Sequence, residues 1–522
     1  MKFDKNILGI LLSAIAVILF SLVFFYLNGV IGLDGYFTMY KVVLNPFSDM
    51  MAKIFEDVHP PLYYFILWSV LKVLNLIGIS YNPMIVGKIV SWVPVGLIVL
   101  FALTVIRKRF GWLFAGIFSI CIVSLPNLMF YGTEIRMYSL GLLFLTLCFY
   151  YAYRVTVESN WKNWGLVTLF TILGVYTQYF IGEILFCIYL VLLGWLLLNN
   201  RKEVKKWLVS AIVSVIAFLP WVPILINQIR IGNASWITVP DLAYLKYTIL
   251  FIFSETHELT IAGSLLILAF VVLVVYYYVY YLKPKANEDS DNQKYSILDK
   301  LKKTNFLVLG ILVFVLAIVL GFVVSHLLVP SFLSRYMVPA LGILYLAFTY
   351  LLTKTYSKKV IFVPILIIIL ISSAISTSIY IDNQIDNKIT GKQYNKLIKS
   401  IDSDDTIIIT TILQRYKIIH RYGPEKLRSH VYLYPTKTQK GMPRSRVLND
   451  TTFLKKINDG LEKGKVIYLF TNKEDSIIVE AFLNNNGYNI EKIKTLHKTG
   501  DVHTKYPRLI YKIVKNNETA PS

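Results

Sequence analysis

A few ionisable residues stand at the ends of long apolar stretches of this chain, where charge is costly and persists mainly with a role or a partner. The carboxylates are Asp34 and Glu134, and the basic side chains are His59, Arg136 and Arg335. Arginine and histidine suit a phosphate group, which accepts charge-assisted and often bidentate hydrogen bonds. A carboxylate beside them can take a proton from an attacking hydroxyl. These residue types therefore predict chemistry on a phosphate-bearing substrate.

The elements that must position these residues are strongly apolar. Of the 522 residues, 56% are hydrophobic and 16% are charged, with a mean hydropathy of +0.58. Stretches such as 7–27, 261–282 and 306–328 each match the ~20 residues that cross a bilayer as a helix. The first follows Lys2 and Lys5 and lacks a small-residue cleavage pattern, so we interpret it as an uncleaved span. The composition predicts a polytopic α-helical membrane protein.

The formal net charge of +22 would suggest a nucleic-acid partner in a soluble protein. Here the basic residues collect in short loops between apolar stretches, which is the positive-inside pattern, and we expect no nucleic acid to bind. The predicted cytoplasmic clusters lie at 107–109, 201–206, 283–303 and 354–359. The three cysteines, Cys121, Cys148 and Cys187, fall inside apolar runs, so neither a disulfide framework nor a thiolate metal site is predicted.

Neighbouring cytoplasmic clusters must be separated by an even number of crossings. From residue 109 onward this rule is met by spans near 112–131, 137–153, 163–178, 181–199, 206–227, 261–282, 305–327 and 337–353, with a last outward span near 360–380. Before residue 107 there are three apolar stretches, 7–27, 60–78 and 84–106. Three crossings would put the N-terminal lysines and Arg107 on opposite sides of the membrane, so one of the three should not cross. We predict that the segment 60–77 lies at the outer interface. The result is about eleven transmembrane helices in the plasma membrane, with a cytoplasmic N-terminus.

The chain changes character after residue 380. Short apolar runs at 406–411, 431–434, 465–470 and 509–514 alternate with polar residues, and a helical stretch lies near 475–486. This pattern predicts a small α/β domain. Its basic excess suits anionic polymers or lipid headgroups, or is simply a solvated surface. We therefore divide the chain into a transmembrane module, 1–380, and an extracytoplasmic α/β domain, 381–522.

Each candidate residue also has a plainer structural interpretation. Asp34, beside Gly35, could end or cap a helix. Glu134 and Arg136 could form an ordinary interfacial ion pair. A further group of first-loop residues is better interpreted as a solvated loop face: Lys41, Asp49, Lys53, Glu56 and Asp57.

Six short motifs nevertheless occur in a defined order along the chain. They are Leu33-Asp34-Gly35, Asp57-Val58-His59-Pro60-Pro61-Leu62-Tyr63-Tyr64, Glu134-Ile135-Arg136-Met137-Tyr138, Tyr176-Thr177-Gln178-Tyr179-Phe180, Leu219-Pro220-Trp221-Val222-Pro223 and Ser334-Arg335-Tyr336. In order and loop position they resemble the bacterial relatives of the dolichyl-phosphate-mannose protein mannosyltransferases, which have the GT-C fold. The likeness covers roughly residues 1–380. It implies a multi-spanning enzyme that uses a polyprenyl-phosphate-linked sugar with inversion at the anomeric carbon.

The resemblance also implies roles by position. Asp34 looks like the catalytic base, and His59, Arg136 and Arg335 look like contacts to the donor phosphate. The implied pocket residues are Asp57, Glu134, Tyr138, Gln178, Tyr179 and Tyr336. Two departures leave the substrate, metal binding and activity open, because the family often has an acidic residue in place of Gly35 and a histidine in place of Gln178. No metal is chemically required, since a neutralised lipid monophosphate leaves readily, and a divalent cation stays an alternative.

The leading hypothesis is a membrane glycosyltransferase, hexosyl- or pentosyltransferring, that moves a sugar from polyprenyl phosphate to an extracytoplasmic acceptor. One alternative is a multi-spanning transporter or lipid flippase, although transporters usually place their charges near the membrane midplane. Another is a degenerate, non-catalytic GT-C scaffold, which Gly35 and Gln178 keep open.

Overall fold

The computed structural model describes residues 4–42, 46–231, 237–254, 260–282, 300, 302–401, 405–410, 431–434, 448–471, 473–496 and 508–516. Most of the predicted basic cluster 283–303 lies outside the described residues.

The membrane module is helical. In chain order its helices are α1 (Lys5–Tyr26), α2 (Leu33–Val42), α3 (Phe47–Phe55), α4 (Leu62–Leu76), α5 (Pro83–Phe101), α6 (Arg107–Phe110), α7 (Trp112–Ser124), α8 (Leu128–Thr133), α9 (Tyr138–Val157), α10 (Trp161–Val175), α11 (Tyr179–Asn199), α12 (Val204–Phe218), α13 (Val222–Ile231), α14 (Leu242–Phe253), α15 (Ile261–Tyr277), α16 (Gly310–Leu327), α17 (Leu341–Lys354) and α18 (Lys359–Lys399). Single π-helical turns, Ala102–Ile106 and Tyr278–Leu282, extend α5 and α15, and 3₁₀ turns are formed by Arg201–Glu203, Leu219–Trp221 and Ser334–Ala340.

Nine helical stretches of the described chain are long and apolar enough to cross a membrane. They are Lys5–Tyr26, Pro83–Phe110, Tyr138–Val157, Tyr179–Asn199, Arg201–Ile231, Ile261–Leu282, Gly310–Leu327, Ser334–Lys354 and Lys359–Gln393. They correspond to nine of the predicted spans, and the polytopic helical fold is confirmed. The other two predicted spans are the shorter helices α7, of 13 residues, and α10, of 15 residues.

A proline accounts for the early end of α7. Leu125 precedes Pro126, and a residue before proline is driven out of the α-helical region, so Leu125 is extended with φ −72° and ψ 163°. Asn127 follows with φ +67°, and α8 then begins. The predicted span near 112–131 is therefore two helices joined by a turn.

The predicted interfacial segment forms α4. Its 15 residues reach about 22 Å, short of the ~30 Å hydrocarbon core. The first turn is fixed by a hydrogen bond from the Leu62 N–H to the Tyr176 carbonyl, 3.1 Å long, at the end of α10. Tyr63, Tyr64 and Leu67 are buried on one face. That α4 lies at the interface stays a prediction.

The closest helix packing joins α1 to α7. A Cβ atom added to Gly9 would lie 2.3 Å from the backbone nitrogen of Leu113, and one added to Gly116 would lie 2.4 Å from the Gly9 carbonyl oxygen. No side chain fits at such distances. Small residues of this kind let membrane helices approach backbone to backbone, where van der Waals contact holds them together.

The described chain divides into two compact units. One is Met1–Leu27 with Lys41–Tyr380, and the other is Asn28–Tyr40 with Ile381–Ser522. The second unit therefore includes the segment that follows α1. Within that unit, Asn28 Nδ2 donates to both the backbone carbonyl and Oε1 of Gln384, each at 2.9 Å, on the last part of α18. This pair is buried and ties the segment after α1 to α18 within the second unit.

The second unit contains a five-stranded sheet. Its elements are β1 (Thr406–Ile409), β2 (Val431–Leu433), α19 (Asp450–Glu462), β3 (Ile467–Thr471), α20 (Lys473–Asn484), β4 (Tyr488–Leu496) and β5 (Arg508–Lys515), with strand order β2-β1-β3-β5-β4. The strands β2, β1 and β3 are parallel, and β5 is antiparallel to both its neighbours.

Alternation along β1 divides the core of this domain. Ile407 and Ile409 pack with Leu397 and Ile401, which come from the end of α18 and the residues after it. Ile408 points to the other face, where it joins a cluster with Phe453 of α19 and residues of α20. The predicted small α/β domain is confirmed.

Candidate functional site

A buried network of charged and hydroxyl groups surrounds Asp57. The Lys41 ammonium lies 2.5 Å from Asp57 Oδ2, and the side chains are only 12% and 14% exposed. The Tyr64 hydroxyl donates to the same oxygen at 2.7 Å. Arg136 Nη1 donates to the Tyr64 hydroxyl at 3.4 Å. One tyrosine thus links the carboxylate of the first loop to a predicted phosphate-binding arginine.

Electrostatics keep the Asp57 carboxylate ionised. Burial raises the pKa of this carboxyl, but the charges of Lys41, His59 and Arg136 outweigh burial and hold its pKa well below the usual range. A carboxylate with so low a pKa is a poor proton acceptor near neutral pH. Asp57 is therefore better suited to holding basic groups in place than to acting as a base.

His59 belongs to the same network through its charge. It is 5% exposed and lies two residues after Asp57, whose pKa its charge helps to lower. Pro60 and Pro61 follow it directly, and a proline fixes its own φ and restricts the residue before it. The turn is then held by the hydrogen bond between Leu62 and Tyr176. Local stiffness and one long-range bond position His59.

Glu134 and Arg136 lie in the non-helical corner between α8 and α9. The Arg136 N–H donates to the Glu134 carbonyl at 2.7 Å, which bends the chain at this corner. Between them Ile135 is fully buried, and a Cβ atom on Gly87 of α5 would lie 2.8 Å from its side chain. Tyr138 is buried in the first turn of α9, edge-on to Tyr131 of α8 at 5.3 Å.

Lys88 was missed as a site residue by the sequence reasoning. It is 4% exposed on α5, directly after the glycine that packs on Ile135. A lysine inside an apolar span was itself a signal, because buried charge in a membrane helix marks a functional or paired group.

A second network fixes the turn between α10 and α11. The Trp221 Nε1 donates to the Tyr179 hydroxyl at 2.8 Å, and that hydroxyl donates to Gln228 Oε1. Gln228 Nε2 donates in turn to the Ile54 carbonyl at 2.7 Å, and the same carbonyl accepts the Asp57 N–H at 3.0 Å. The turn is thereby tied to the loop that carries Asp57. Gln228 was also missed, although its i, i+7 spacing from Trp221 put both on one helical face.

Arg335 is held on a 3₁₀ turn, Ser334–Ala340. The Ser334 N–H donates to the Tyr244 hydroxyl at 3.1 Å, and its Oγ lies 2.9 Å from Thr248 Oγ1, both on α14. The guanidinium lies 5.9 Å from the centre of the Tyr336 ring. Tyr336 packs on Phe180, two residues after Gln178, with ring centres 5.8 Å apart.

Asp34 lies in the first turn of α2, and its carbonyl accepts the Thr38 Oγ1 hydrogen at 3.1 Å. It is half-buried and belongs to the second compact unit, whereas the Asp57 network belongs to the first. Lys41 lies in the last turn of the same helix, two turns further on.

The solvated-face interpretation of the first loop is partly wrong. Lys41 and Asp57 form a buried pair, because a neighbouring tyrosine and two further basic groups compensate the carboxylate's desolvation. Asp49 and Glu56 are exposed, as expected. Among the described residues, no group of three or more His, Cys, Asp or Glu side chains is placed to hold a metal ion.

Comparison with known proteins defines the fold. No family model matches the chain, and neither does any curated protein sequence. Solved structures do match, among them ArnT from Cupriavidus metallidurans in the apo state and the same protein bound to undecaprenyl phosphate. For each, the TM-score is 0.56 at 10% sequence identity, over 96% of this chain and 97% of ArnT.

The chain is therefore a multi-pass membrane protein with a GT-C-type fold. More particularly, its fold is that of ArnT over almost the full length of both chains. The expected fold is confirmed, whereas a specific relation to the dolichyl-phosphate-mannose family stays a prediction.

Proposed function

We propose that this protein is a membrane glycosyltransferase that takes a sugar from a polyprenyl-phosphate carrier and transfers it to an acceptor hydroxyl outside the cytoplasm. The observation that carries the proposal is the buried network in which Arg136 and His59 are oriented around Asp57 and Tyr64. The fold supports it, since the ArnT structure of the same fold was solved with undecaprenyl phosphate bound.

In the proposed reaction, the acceptor oxygen attacks the anomeric carbon as the bond from that carbon to the phosphate oxygen breaks. The proton of the acceptor hydroxyl passes to Asp34, and the bonding electrons leave with the lipid phosphate. Attack from the opposite face inverts the anomeric centre. His59, Arg136 and Arg335 stabilise the charge that develops on the departing phosphate, which is electrostatic catalysis by positioned groups.

Asp34 is a better candidate base than Asp57. The Asp57 carboxylate already accepts from Lys41 and Tyr64 and has a depressed pKa, so it holds a proton poorly. Asp34 shares α2 with Lys41, and thus lies on the helix whose last turn is anchored to Asp57. Anchoring this helix is the role that we propose for the ion pair.

The test replaces Asp34 by asparagine, which has almost the same shape but cannot accept the proton. Transfer should be measured with purified protein in lipid nanodiscs, using a radiolabelled polyprenyl-phosphate sugar, with donor binding followed separately. Loss of a general base typically costs 10²–10⁴-fold in rate, and donor binding should be unchanged.

Asp49→Asn is the matched control, because Asp49 is an exposed carboxylate of the same loop. It should turn over like the parent protein. An Asp34→Asn variant with near-parental turnover would rule out Asp34 as the base. A parent protein that transferred sugar from no polyprenyl-phosphate donor while moving lipid across vesicles would favour the flippase alternative.

A further inference from the structure

The turn between α10 and α11 carries a buried side chain whose hydrogen-bonding groups are all unused within the described chain. Gln178 is 2% exposed, and neither Nε2 nor Oε1 of its amide has a hydrogen-bond partner among the described residues. Its backbone is satisfied, since its N–H donates to the Gly174 carbonyl and its carbonyl accepts the Ile181 N–H. Buried amides are nearly always paired, so this one calls for an explanation.

The turn is attached to the segments that carry two of the predicted phosphate contacts, His59 and Arg335. Two residues before Gln178, the Tyr176 carbonyl accepts the Leu62 N–H, which fixes the turn to the segment directly after His59-Pro60-Pro61. Two residues after it, the Phe180 ring packs on Tyr336, the neighbour of Arg335. Both attachments belong to the same compact unit. Gln178 is thus held next to the place where the donor's phosphate is proposed to bind.

The neighbouring polar side chains of the turn are already engaged. The Thr177 hydroxyl donates to the Leu173 carbonyl at 2.7 Å, and the Tyr179 hydroxyl is bonded to both Trp221 and Gln228. The motif therefore offers one uncommitted polar group, the Gln178 amide, and it faces away from solvent.

The chemistry of an amide selects its ligand. It presents two N–H donors and a carbonyl oxygen with two lone pairs, without charge. A phosphate has acceptors only, so it would use the NH₂ group and place anionic oxygens near Oε1. Neighbouring hydroxyl groups each donate and accept, and they satisfy both ends of the amide at once. A neutral polyol is the complementary ligand.

We infer that Gln178 binds hydroxyl groups of the donor sugar and sets which sugar the protein accepts. The inference rests on the proposed function, which supplies the sugar beside the phosphate. Sites built to hydrogen-bond a hydroxyl discriminate strongly, because a ligand that lacks the hydroxyl leaves the buried group unpaired. Gln178 is then a specificity-determining residue.

The experiment compares lipid binding with and without the sugar. Parent protein and Gln178→Leu, in nanodiscs, are titrated with undecaprenyl phosphate and with its glucosyl, mannosyl and arabinosyl forms. We expect the parent to bind at least one loaded lipid about ten-fold or more tightly than the bare lipid. Gln178→Leu should lose that preference and keep its affinity for undecaprenyl phosphate. Its melting temperature without ligand should not fall, since leucine removes an unpaired buried amide.

Thr177→Val is the matched control, a buried near-isosteric change one residue away, and it should leave both affinities unchanged. Gln178→Asn keeps the amide but withdraws it by one methylene, and it should also lose the preference. If the leucine variant does not fold, the asparagine variant tests whether the amide sets the sugar preference.

Two results would overturn the inference alone: an unchanged sugar preference in the folded Gln178 variants, or an equal loss of affinity for bare and loaded lipid. The inference would also be overturned if the parent protein bound bare and loaded lipid equally while still transferring sugar. If the parent binds none of the four lipids, the proposed function fails, and the inference fails with it.

Discussion

The Asp57 carboxylate lies among basic and hydroxyl groups. Two of its contacts are Lys41 at 2.5 Å and Tyr64 at 2.7 Å. Removing one partner of such a pair leaves the other poorly solvated, which costs more than the pair itself contributes. The carboxylate therefore fixes the positions of the basic groups, and those groups fix its ionisation.

The stability supplied by Asp57 should depend on pH in a defined direction. Because its pKa is depressed in the folded protein, the contribution is fully present above the unfolded pKa of about 4 and is lost as the pH falls toward the folded value. Asp57→Asn should cost about 1.5–3 kcal/mol near neutral pH. Thermal unfolding between pH 3 and 8 checks this: the gap between parent and variant should be constant above pH 5 and narrow below 4. A gap that widens in acid would contradict the assignment.

Alanine variants of the two predicted phosphate-binding arginines should differ in their effect on folding. Arg335→Ala removes a half-buried side chain that packs over a ring, so it should weaken donor binding about ten- to a hundred-fold, as for a charge-assisted contact, with little loss of stability. Arg136→Ala also removes the hydrogen bond to the Tyr64 hydroxyl. It should therefore weaken donor binding and also lower the stability of the protein. Binding of undecaprenyl phosphate and the melting temperature are the two readouts. Unchanged lipid binding in Arg335→Ala would remove it from the site.

At the level of single residues, sequence motifs pointed to positions but not to partners. His59 and Arg136 were singled out because their types and positions at the ends of apolar stretches are unusual, whereas Asp57 was predicted as a pocket residue only through the resemblance. Tyr64 was quoted within a motif, yet its link between Asp57 and Arg136 depends on two segments 72 residues apart meeting in the fold. The spacing of residues within one segment does not show which distant segments come into contact. Lys41 was assigned to solvent for the same reason.

At the level of elements, α1 and α7 depend on glycines that a methyl group cannot replace. Gly9→Ala would place Cβ 2.3 Å from the α7 backbone and should destabilise the protein by about 1–3 kcal/mol through overpacking. Gly165→Ala on α10 is the control, because nothing lies within 4 Å of its Cβ position. It should be neutral or stabilising by up to about 1 kcal/mol. Equal melting temperatures for the two variants would show that the helices separate easily.

The Asn28–Gln384 pair should couple the Asp34 segment to α18 within the second unit. Both side chains are buried, and Asn28 Nδ2 donates to the side-chain oxygen and to the backbone carbonyl of Gln384. A double-mutant cycle with Asn28→Ala and Gln384→Ala should show an interaction energy of about 0.5–3 kcal/mol in unfolding. If the pair positions Asp34, the single variants should lower kcat more than they raise KM for the donor. An effect confined to stability would make the pair purely structural.

Elements were predictable where an apolar run was long or was not interrupted by charge. Most spans of about 20 apolar residues were found, but the predicted span near 112–131 continues past the break that Pro126 causes, and α18 runs to Lys399, past the predicted end at 380. The central strands β1 and β3 were visible as apolar runs. The edge strand β4 was missed, because Glu491, Lys492 and Lys494 lie on it. Charges of this kind protect sheet edges and hide them from a pattern search.

At the scale of the whole molecule, one parity argument links topology to function. Basic clusters at 107–109 and 201–206 are both predicted to be cytoplasmic, and this holds only if an even number of spans precedes residue 107. The structure gives α1 and α5 enough length and makes α4 shorter, which agrees with two crossings. The proposed site then faces the outside, where a polyprenyl-phosphate sugar and an acceptor that is not cytoplasmic could meet.

Cysteine labelling tests that arrangement directly. Single cysteines would replace Lys108, Ile79 and Asn485, each exposed in the structure. The native thiols Cys121, Cys148 and Cys187 are buried and should react slowly, so the parent protein supplies the background. In intact cells, an impermeant maleimide should label the cysteines at 79 and 485 and leave the one at 108 unlabelled until the membrane is permeabilised. Position 79 is the sensitive one, because it follows α4: if α4 crossed the membrane, 79 would be shielded. Labelling at 108 but not at 485 in intact cells would show that the topology is the reverse of the predicted one. The proposed site would then lie in the cytoplasm, where the proposed external acceptor is absent.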